Sequence, residues 1–259
     1  MPDEPTVIVE RVDAVVTLRL DRPEHANALT RASRGELARA LRDASRDPEV
    51  RCIVLAASGR NFCAGQDLRE EGGLEDVAGA IRDSYAPIIR GISEAPKPVI
   101  AAVQGAAAGA GAALALACDI RIFSDDAYVV MAFSNIGLVP DSGASWFLTR
   151  QVGYQRAFEM CATGRRVTAN EALTHGLCER VVLGDALAGE VATLATELAA
   201  RPPLALAWTK RLLRRSLAAG LEEVLELEAQ LQRSAVATAD HREGVAAFLA
   251  KRTPTFEGR

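Results

Sequence analysis

Between Pro98 and Ala117 the chain carries almost no side chain larger than leucine, and this stretch constrains the fold more than any other. Val99-Ile100-Ala101-Ala102-Val103 is a continuous apolar run, the pattern of a strand covered on both faces. Gly105, Gly109 and Gly111 punctuate the segment after it. Ala112 to Ala117 then has helical composition and no polar face, so the helix it predicts must be deeply packed. A doubly covered strand turning through glycine into a buried helix demands an α/β core. Gln104 and the glycines break the run, which argues against a membrane span.

The flanking sequence agrees. Val7 to Val12 and Val15 to Leu20 read as two strands joined at Asp13-Ala14. Thr30 is a candidate N-cap for a helix whose inner face holds Leu37, Ala40, Leu41 and Ala44, stopped by Asp47-Pro48. Cys52 to Leu55 is a short buried strand. Residues 69–79 are charged, glycine-rich and aperiodic, and are expected to form a mobile surface loop before a helix that ends near Gly91. Strands are expected near Ile120–Phe123 and Tyr128–Met131. After about Val182 the pattern is helical, with a stripe at Leu187, Val191, Leu194, Ala195 and Leu198 that Arg201-Pro202-Pro203 breaks. The reading is therefore a strand-rich core over 1–182 and a helical region over 183–259. A helical tail of that length packs either on its own core or on a partner subunit.

The 259 residues and 49% apolar content allow one full core. A net charge of −4 makes the chain a poor candidate for nucleic-acid binding, and a phosphate-bearing ligand must be met by a local basic cluster or by backbone amides. The five cysteines, Cys52, Cys63, Cys118, Cys161 and Cys178, form no C-x-x-C pair, so neither a disulfide framework nor a zinc site is expected. With a polar Met-Pro-Asp-Glu-Pro start, the expected compartment is the reducing cytoplasm.

Three short stretches carry chemistry when taken together: Phe62-Cys63-Ala64-Gly65-Gln66-Asp67-Leu68, Gly105 to Gly111, and Gly137-Leu138-Val139-Pro140-Asp141-Ser142-Gly143. The first two are small-residue turns in which backbone N–H groups can face a ligand. The third places one carboxylate in a rigid turn. Two backbone donors and one carboxylate suffice to hold an enolate oxyanion and move a proton. Each stretch also has a plain reading. The first is an ordinary strand-to-helix turn, and Cys63 a small buried hydrophobe. Pro140-Asp141-Ser142-Gly143 serves as a type I turn or helix N-cap. Gly109-x-Gly111 resembles a dinucleotide fingerprint, but Leu114 stands at its third glycine and Met131 where a ribose-binding acid belongs. No G-x-S-x-G elbow and no metal-spaced histidine pair is present among His25, His175 and His241.

The order of these pieces, with Asp21-Arg22-Pro23 and Asn27-Ala28-Leu29 ahead of them and Arg242-Glu243-Gly244 to Arg252 behind, resembles the enoyl-CoA hydratase/isomerase (crotonase) superfamily over essentially the whole chain. The resemblance implies an α/β spiral of repeated β-β-α units with a helical C-terminal trimerisation region, and a homotrimer or a hexamer built as a dimer of trimers. It implies an acyl-CoA thioester substrate whose carbonyl sits between the N–H groups of Ala64 and Ala110. Arg22, Glu24 and Ala26, the segment Phe62 to Leu68 (Ala64, Gly65, Gln66 and Asp67 included), Gly109 and Phe133 would line the acyl or CoA path. Phe248 and Lys251 would join them across a subunit boundary. Coenzyme A is then part of the substrate, and no metal or further cofactor is implied.

Two departures narrow the chemistry that the resemblance implies. Hydrating members carry two glutamates, at positions occupied here by Ala113 and Phe133. Asp141 is what remains. Within the superfamily, Phe-Cys-Ala-Gly-Gln-Asp-Leu, Met-Ala-Phe-Ser and Gly-Leu-Val-Pro-Asp-Ser-Gly look most like the ring-1,2-epoxyphenylacetyl-CoA isomerases of phenylacetate breakdown. That subgroup uses the equivalent aspartate as its proton shuttle. Ala144 replaces an expected second glycine. An apolar lining of Phe133, Ile136 and Leu138 is expected to raise the basicity of Asp141.

Overall fold

The computed structural model describes residues 5–70 and 76–259. Strands β1 (Val7–Val12) and β2 (Val15–Leu20) form the antiparallel hairpin, with Asp13 left-handed at its turn. Helix α1 (Arg31–Arg46) follows, and its N-cap Thr30 accepts the Ser33 N–H at 3.2 Å. Its buried face includes Leu37, Leu41 and Ala44 and leads back to β3 (Cys52–Ala57), which pairs parallel with β2. Helix α2 (Val77–Ala80), a π-helical turn (Ile81–Tyr85) and α3 (Ala86–Ser93) return the chain to β4 (Val99–Val103). The loop expected over 69–79 is therefore helical from Val77 onward; its central residues 71–75 lie outside the described part.

The stretch expected as one glycine turn holds a strand, β5 (Ala106–Ala108), and helix α4 (Ala110–Ala117) starts two residues earlier than its composition indicated. Alanine has little strand preference of its own, so β5 exists because β7 (Tyr128–Val130) pairs with it. Every residue of α4 is buried. Beyond it come β6 (Ile120–Ser124), α5 (Ala144–Val152), α6 (Tyr154–Thr163), β8 (Arg166–Thr168), α7 (Ala169–Thr174) and β9 (Arg180–Val182).

The strands form a six-stranded sheet ordered β1-β2-β3-β4-β6-β9 and a three-stranded sheet ordered β5-β7-β8. Both faces of the larger sheet are covered. Ile53, Leu55, Val99 and Ala101 face a core shared with α1, α3 and α4. Cys52, Val54, Ile100 and Ala102 alternate with them and face Leu187, Val191, Leu194 and Ala195 of α8 (Leu187–Ala199). Each such leucine or isoleucine contributes about 1.5–3 kcal/mol by leaving water. Of the helices after residue 182, α8 thus lies on the sheet. Helices α9 (Pro203–Ser216), α10 (Leu221–Val236) and α11 (Ala239–Ala250) follow, with Leu213, Leu217, Leu221 and Leu225 exposed on the chain. Among the described residues no helix is long and apolar enough to cross a membrane.

Candidate active site

A parallel ladder locks the first two glycine segments side by side. The Phe62 N–H donates to Gln104 O at 2.8 Å, Cys63 N–H to Ala106 O at 2.9 Å, and Ala108 N–H to Cys63 O at 2.9 Å. The ladder works only with glycines at its margins. A Cβ on Gly65, whose φ is +95°, would lie 2.9 Å from Ala108 O and 3.3 Å from Ala110 N. A Cβ on Gly111 would be driven into the carbonyl and side chain of Cys63. The Gly65 turn therefore abuts the start of α4.

The donor expected at Ala64 is not free, because its N–H donates to Ala26 O at 3.0 Å. Two residues on, the situation reverses. Leu29 N–H donates to Gly65 O at 2.7 Å and Asp67 N–H to Leu29 O at 3.1 Å, closing a parallel bridge around Gln66. In such a bridge the N–H of the middle residue points away from the partner strand. Among the described residues neither Gln66 N–H nor Ala110 N–H has a backbone acceptor. Ala110 is the first residue of α4, so its amide is one of the helix's orphan donors, at the positive end of the helix dipole. The pair of bare amides is thus Gln66 and Ala110.

Asp141 comes from a third segment. A short 3₁₀ turn (Ser134–Ile136) ends at Gly137, which is left-handed, and Pro140 stiffens the approach. Asp141 O accepts the Ala144 N–H at 2.8 Å across Ser142 (φ +51°) and Gly143 (φ +78°). Both central residues are left-handed, so the turn is a mirror image of the expected type I. Nor is Asp141 an N-cap: Gly143 holds that place before α5. The carboxylate consequently spends nothing on helix amides. Its one hydrogen-bond partner among the described residues is the Ser142 hydroxyl, at 2.9 Å. Burial raises the Asp141 pKa, and the Ser142 bond opposes the rise only in part. Phe133 is buried, and its ring edge stands 3.9 Å from where a Gly109 Cβ would be. Ile136 and Leu138, expected beside it, are 54% and 39% exposed on the chain. Ala113, at the first vacant acid position, and Ala144 are fully buried.

Other expected site residues divide clearly. Phe62 has 0% exposure and belongs to the core, not to a ligand path. Arg22 Nη1 donates to Asp67 at 3.1 Å and to Ala28 O at 2.6 Å, and so ties one loop to the next. Burial favours a neutral Asp67, but the Arg69 N–H and Arg22 outweigh it and hold the pKa below the usual value. Glu24 is exposed beside His25, Ala26 supplies the acceptor for Ala64, and Leu68 is exposed. Phe248, 82% exposed, and Lys251 close α11, which packs chiefly on α10 within the chain. Cys63 is buried, and burial pushes its thiol up to about 12 against the opposing Gly65 N–H. Glu70 is engaged with the Arg31 N–H at 2.8 Å.

Sequence reasoning missed Arg34 and Tyr85. Arg34 is only 2% exposed, yet sits on the inner face of α1 one turn before Leu37. A charge on an apolar stripe was the available signal. Its Nη1 donates to Gln66 Oε1 at 2.6 Å, where the Tyr85 hydroxyl also donates at 2.5 Å. Burial raises the Tyr85 pKa, Arg34 opposes, and the Asp141 charge adds to the rise, so Tyr85 lies within electrostatic reach of that carboxylate.

Two amides without backbone acceptors among the described residues, and a partly buried carboxylate within electrostatic reach of the Tyr85 that bonds Gln66, are the groups needed for polarising a carbonyl and moving a proton beside it. Residues 10–259 match the family profile of enoyl-CoA hydratase/isomerase, and the chain belongs to that family. It is similar to the 1,2-epoxyphenylacetyl-CoA isomerase of Escherichia coli (strain K12), with 42% identity and 95% of each chain covered. It is also similar, at 44% identity over 98% of each chain, to a Rhodobacter capsulatus protein described as "Probable enoyl-CoA hydratase". A solved enoyl-CoA hydratase from Bacillus anthracis superposes with a TM-score of 0.94 at 33% identity, covering 98% of this chain and all of that one. The fold is thus the crotonase spiral, and the protein is an enzyme of the acyl-CoA isomerase/hydratase class.

Proposed function

We propose that this enzyme is an acyl-CoA isomerase, acting on 2-(1,2-epoxy-1,2-dihydrophenyl)acetyl-CoA. The observation that carries this reading is the lone carboxylate: Asp141 lies within electrostatic reach of Tyr85, which bonds Gln66, while Ala113 and Phe133 stand where the resemblance places a hydratase's two acids. The thioester oxygen accepts from the Gln66 and Ala110 N–H groups. Asp141 takes a proton from one carbon, the electron pair moves onto the polarised carbonyl, and the proton returns at another position. No co-reactant is consumed. Hydration would require a base for water and an acid for the α-carbon at once. The same residues also serve double-bond isomerisation of 3-enoyl-CoA thioesters.

Coenzyme A enters as the handle of the substrate, and the reading needs no metal and no redox group. The assembly is a trimer or a hexamer built as a dimer of trimers, in which Phe248 of α11 and Lys251 at its end reach a neighbour's CoA. The exposed leucines of α9 and α10 support such an interface. Light scattering at micromolar concentration tests it, and a stable monomer would count against it.

The deciding assay offers the purified protein epoxyphenylacetyl-CoA, a 3-enoyl-CoA and crotonyl-CoA. Turnover of the first, slower turnover of the second and almost no loss of crotonyl-CoA absorbance are expected. Rapid hydration of crotonyl-CoA that survives Asp141→Asn would overturn the isomerase reading.

A further inference from the structure

The Gln66 amide group uses all of its hydrogen-bonding capacity inside the protein. Its Oε1 accepts from Arg34 Nη1 at 2.6 Å and from the Tyr85 hydroxyl at 2.5 Å. Its Nε2 faces Asp67 O at 3.3 Å and Glu70 Oε2 at 3.4 Å. Arg34 can only donate, so the orientation of the amide is fixed by its neighbours. Arg34 is held in turn: Nε donates to Ser84 Oγ at 2.6 Å, and the guanidinium lies 4.8 Å from the Tyr85 ring centre. A buried arginine is an expensive way to fill a core position, because its desolvation often exceeds what its partners return. Ser84 and Tyr85 both belong to the π-helical turn Ile81–Tyr85, an irregularity that recurs at functional sites. Helix α1, the π-helical turn and the loop's own Asp67 and Glu70 thus converge on the side chain of one of the two residues whose backbone N–H is left bare.

We infer that Arg34 and Tyr85 are positioning residues: by pinning the Gln66 side chain they fix the direction of the Gln66 N–H toward the thioester oxygen. This inference rests on the oxyanion role proposed for the Gln66 and Ala110 amides and names what aims one of those two donors. The Gly65 carbonyl of the same peptide accepts the Leu29 N–H at 2.7 Å and holds one edge of that plane; the clamp holds the other, through the Cα that carries the pinned Gln66 side chain. A misdirected donor costs rate more than binding, since the charge it meets develops only in the transition state.

The probe is 4-dimethylaminocinnamoyl-CoA, whose absorbance moves to the red when its carbonyl is polarised. Wild-type protein and Asp141→Asn are expected to give the same red shift. Tyr85→Phe keeps the ring over Arg34 and removes only the hydroxyl. It is expected to shrink the shift and to lower kcat by about 10- to 100-fold, with KM and the thermal midpoint little changed. Gln66→Ala, which retains the N–H but loses the clamped side chain, should behave alike. The double variant should be no worse than Gln66→Ala alone, the mark of one coupled unit. A full red shift and wild-type kcat in Tyr85→Phe and Gln66→Ala would overturn the clamp and leave the oxyanion reading standing. No shift with the wild-type protein would overturn both.

Discussion

The two walls of the site are held by opposite means. The donor wall, Cys63–Gln66 against Ala106–Gly111, is a backbone ladder in which Gly65 and Gly111 have no room for a substituent. The acid wall is a tight turn of left-handed residues whose carboxylate has one neighbouring hydroxyl for a partner. Rigidity serves the first, because a preorganised donor needs no reorganisation when charge develops. A sparse environment serves the second, because a base must be free to gain and lose a proton. The wall made of backbone is thus sensitive to volume, and the wall made of one side chain is sensitive to chemistry.

The largest expected effect is on the acid wall. Asp141→Asn keeps the volume and removes the base, so isomerase turnover should fall by about 10²–10⁴-fold or more, with thioester binding nearly unchanged in a titration. Activity within a few-fold of wild type would erase the contrast between the walls. Gly65→Ala tests the donor wall by volume alone. The new methyl would crowd Ala108 O at a φ of +95°, and kcat should drop by about 10²–10³-fold as the donors splay. A drop in thermal midpoint should accompany it, whereas Asp141→Asn should show none.

The third effect is one of pH. The Asp141 carboxyl titrates above its ordinary 3.8 in the folded protein because burial disfavours its charge. The base works deprotonated, so kcat should rise with pH through that elevated value and then level. Stability has the opposite sign. A raised folded pKa contributes stability that is full below the unfolded value and is lost as pH rises through the folded one. Asp141→Asn escapes that loss, so its thermal midpoint should gain on wild type at neutral pH and lose the gain below about 3.8. The smallest effect belongs to Ser142→Ala. Removing the one bond that opposes the shift should move the acid limb of the kcat profile slightly further up.

Legibility in the sequence follows the same divide. Asp141 could be singled out because a lone acid in a Pro-Asp-Ser-Gly turn declares itself by residue type. Val99–Val103 and the buried helix after it could be read because an unbroken apolar run has few ways to be satisfied. The amide donor was placed two residues early, at Ala64, because residue type does not say which N–H in a turn is already taken. That depends on Ala26 O, which only the folded chain brings near. The strand Ala106–Ala108 was hidden for the same reason, since its identity lies in its partners and not in its side chains. Arg34 and Tyr85 were missed because a core charge is meaningful only once the group it holds is known.

The buried thiols carry one consequence of their own. Cys52, Cys63 and Cys118 have thiols pushed up to about 12, chiefly by burial, and Cys178 to about 11. At neutral pH almost none of these sulfurs is a thiolate, the form that reacts with alkylating agents. Epoxides are alkylating agents. On the proposed reading the substrate is such an agent, and an enzyme with a nucleophilic cysteine would meet it turnover after turnover. Keeping these four thiols protonated and out of reach would make the protein a vessel inert to that proposed cargo.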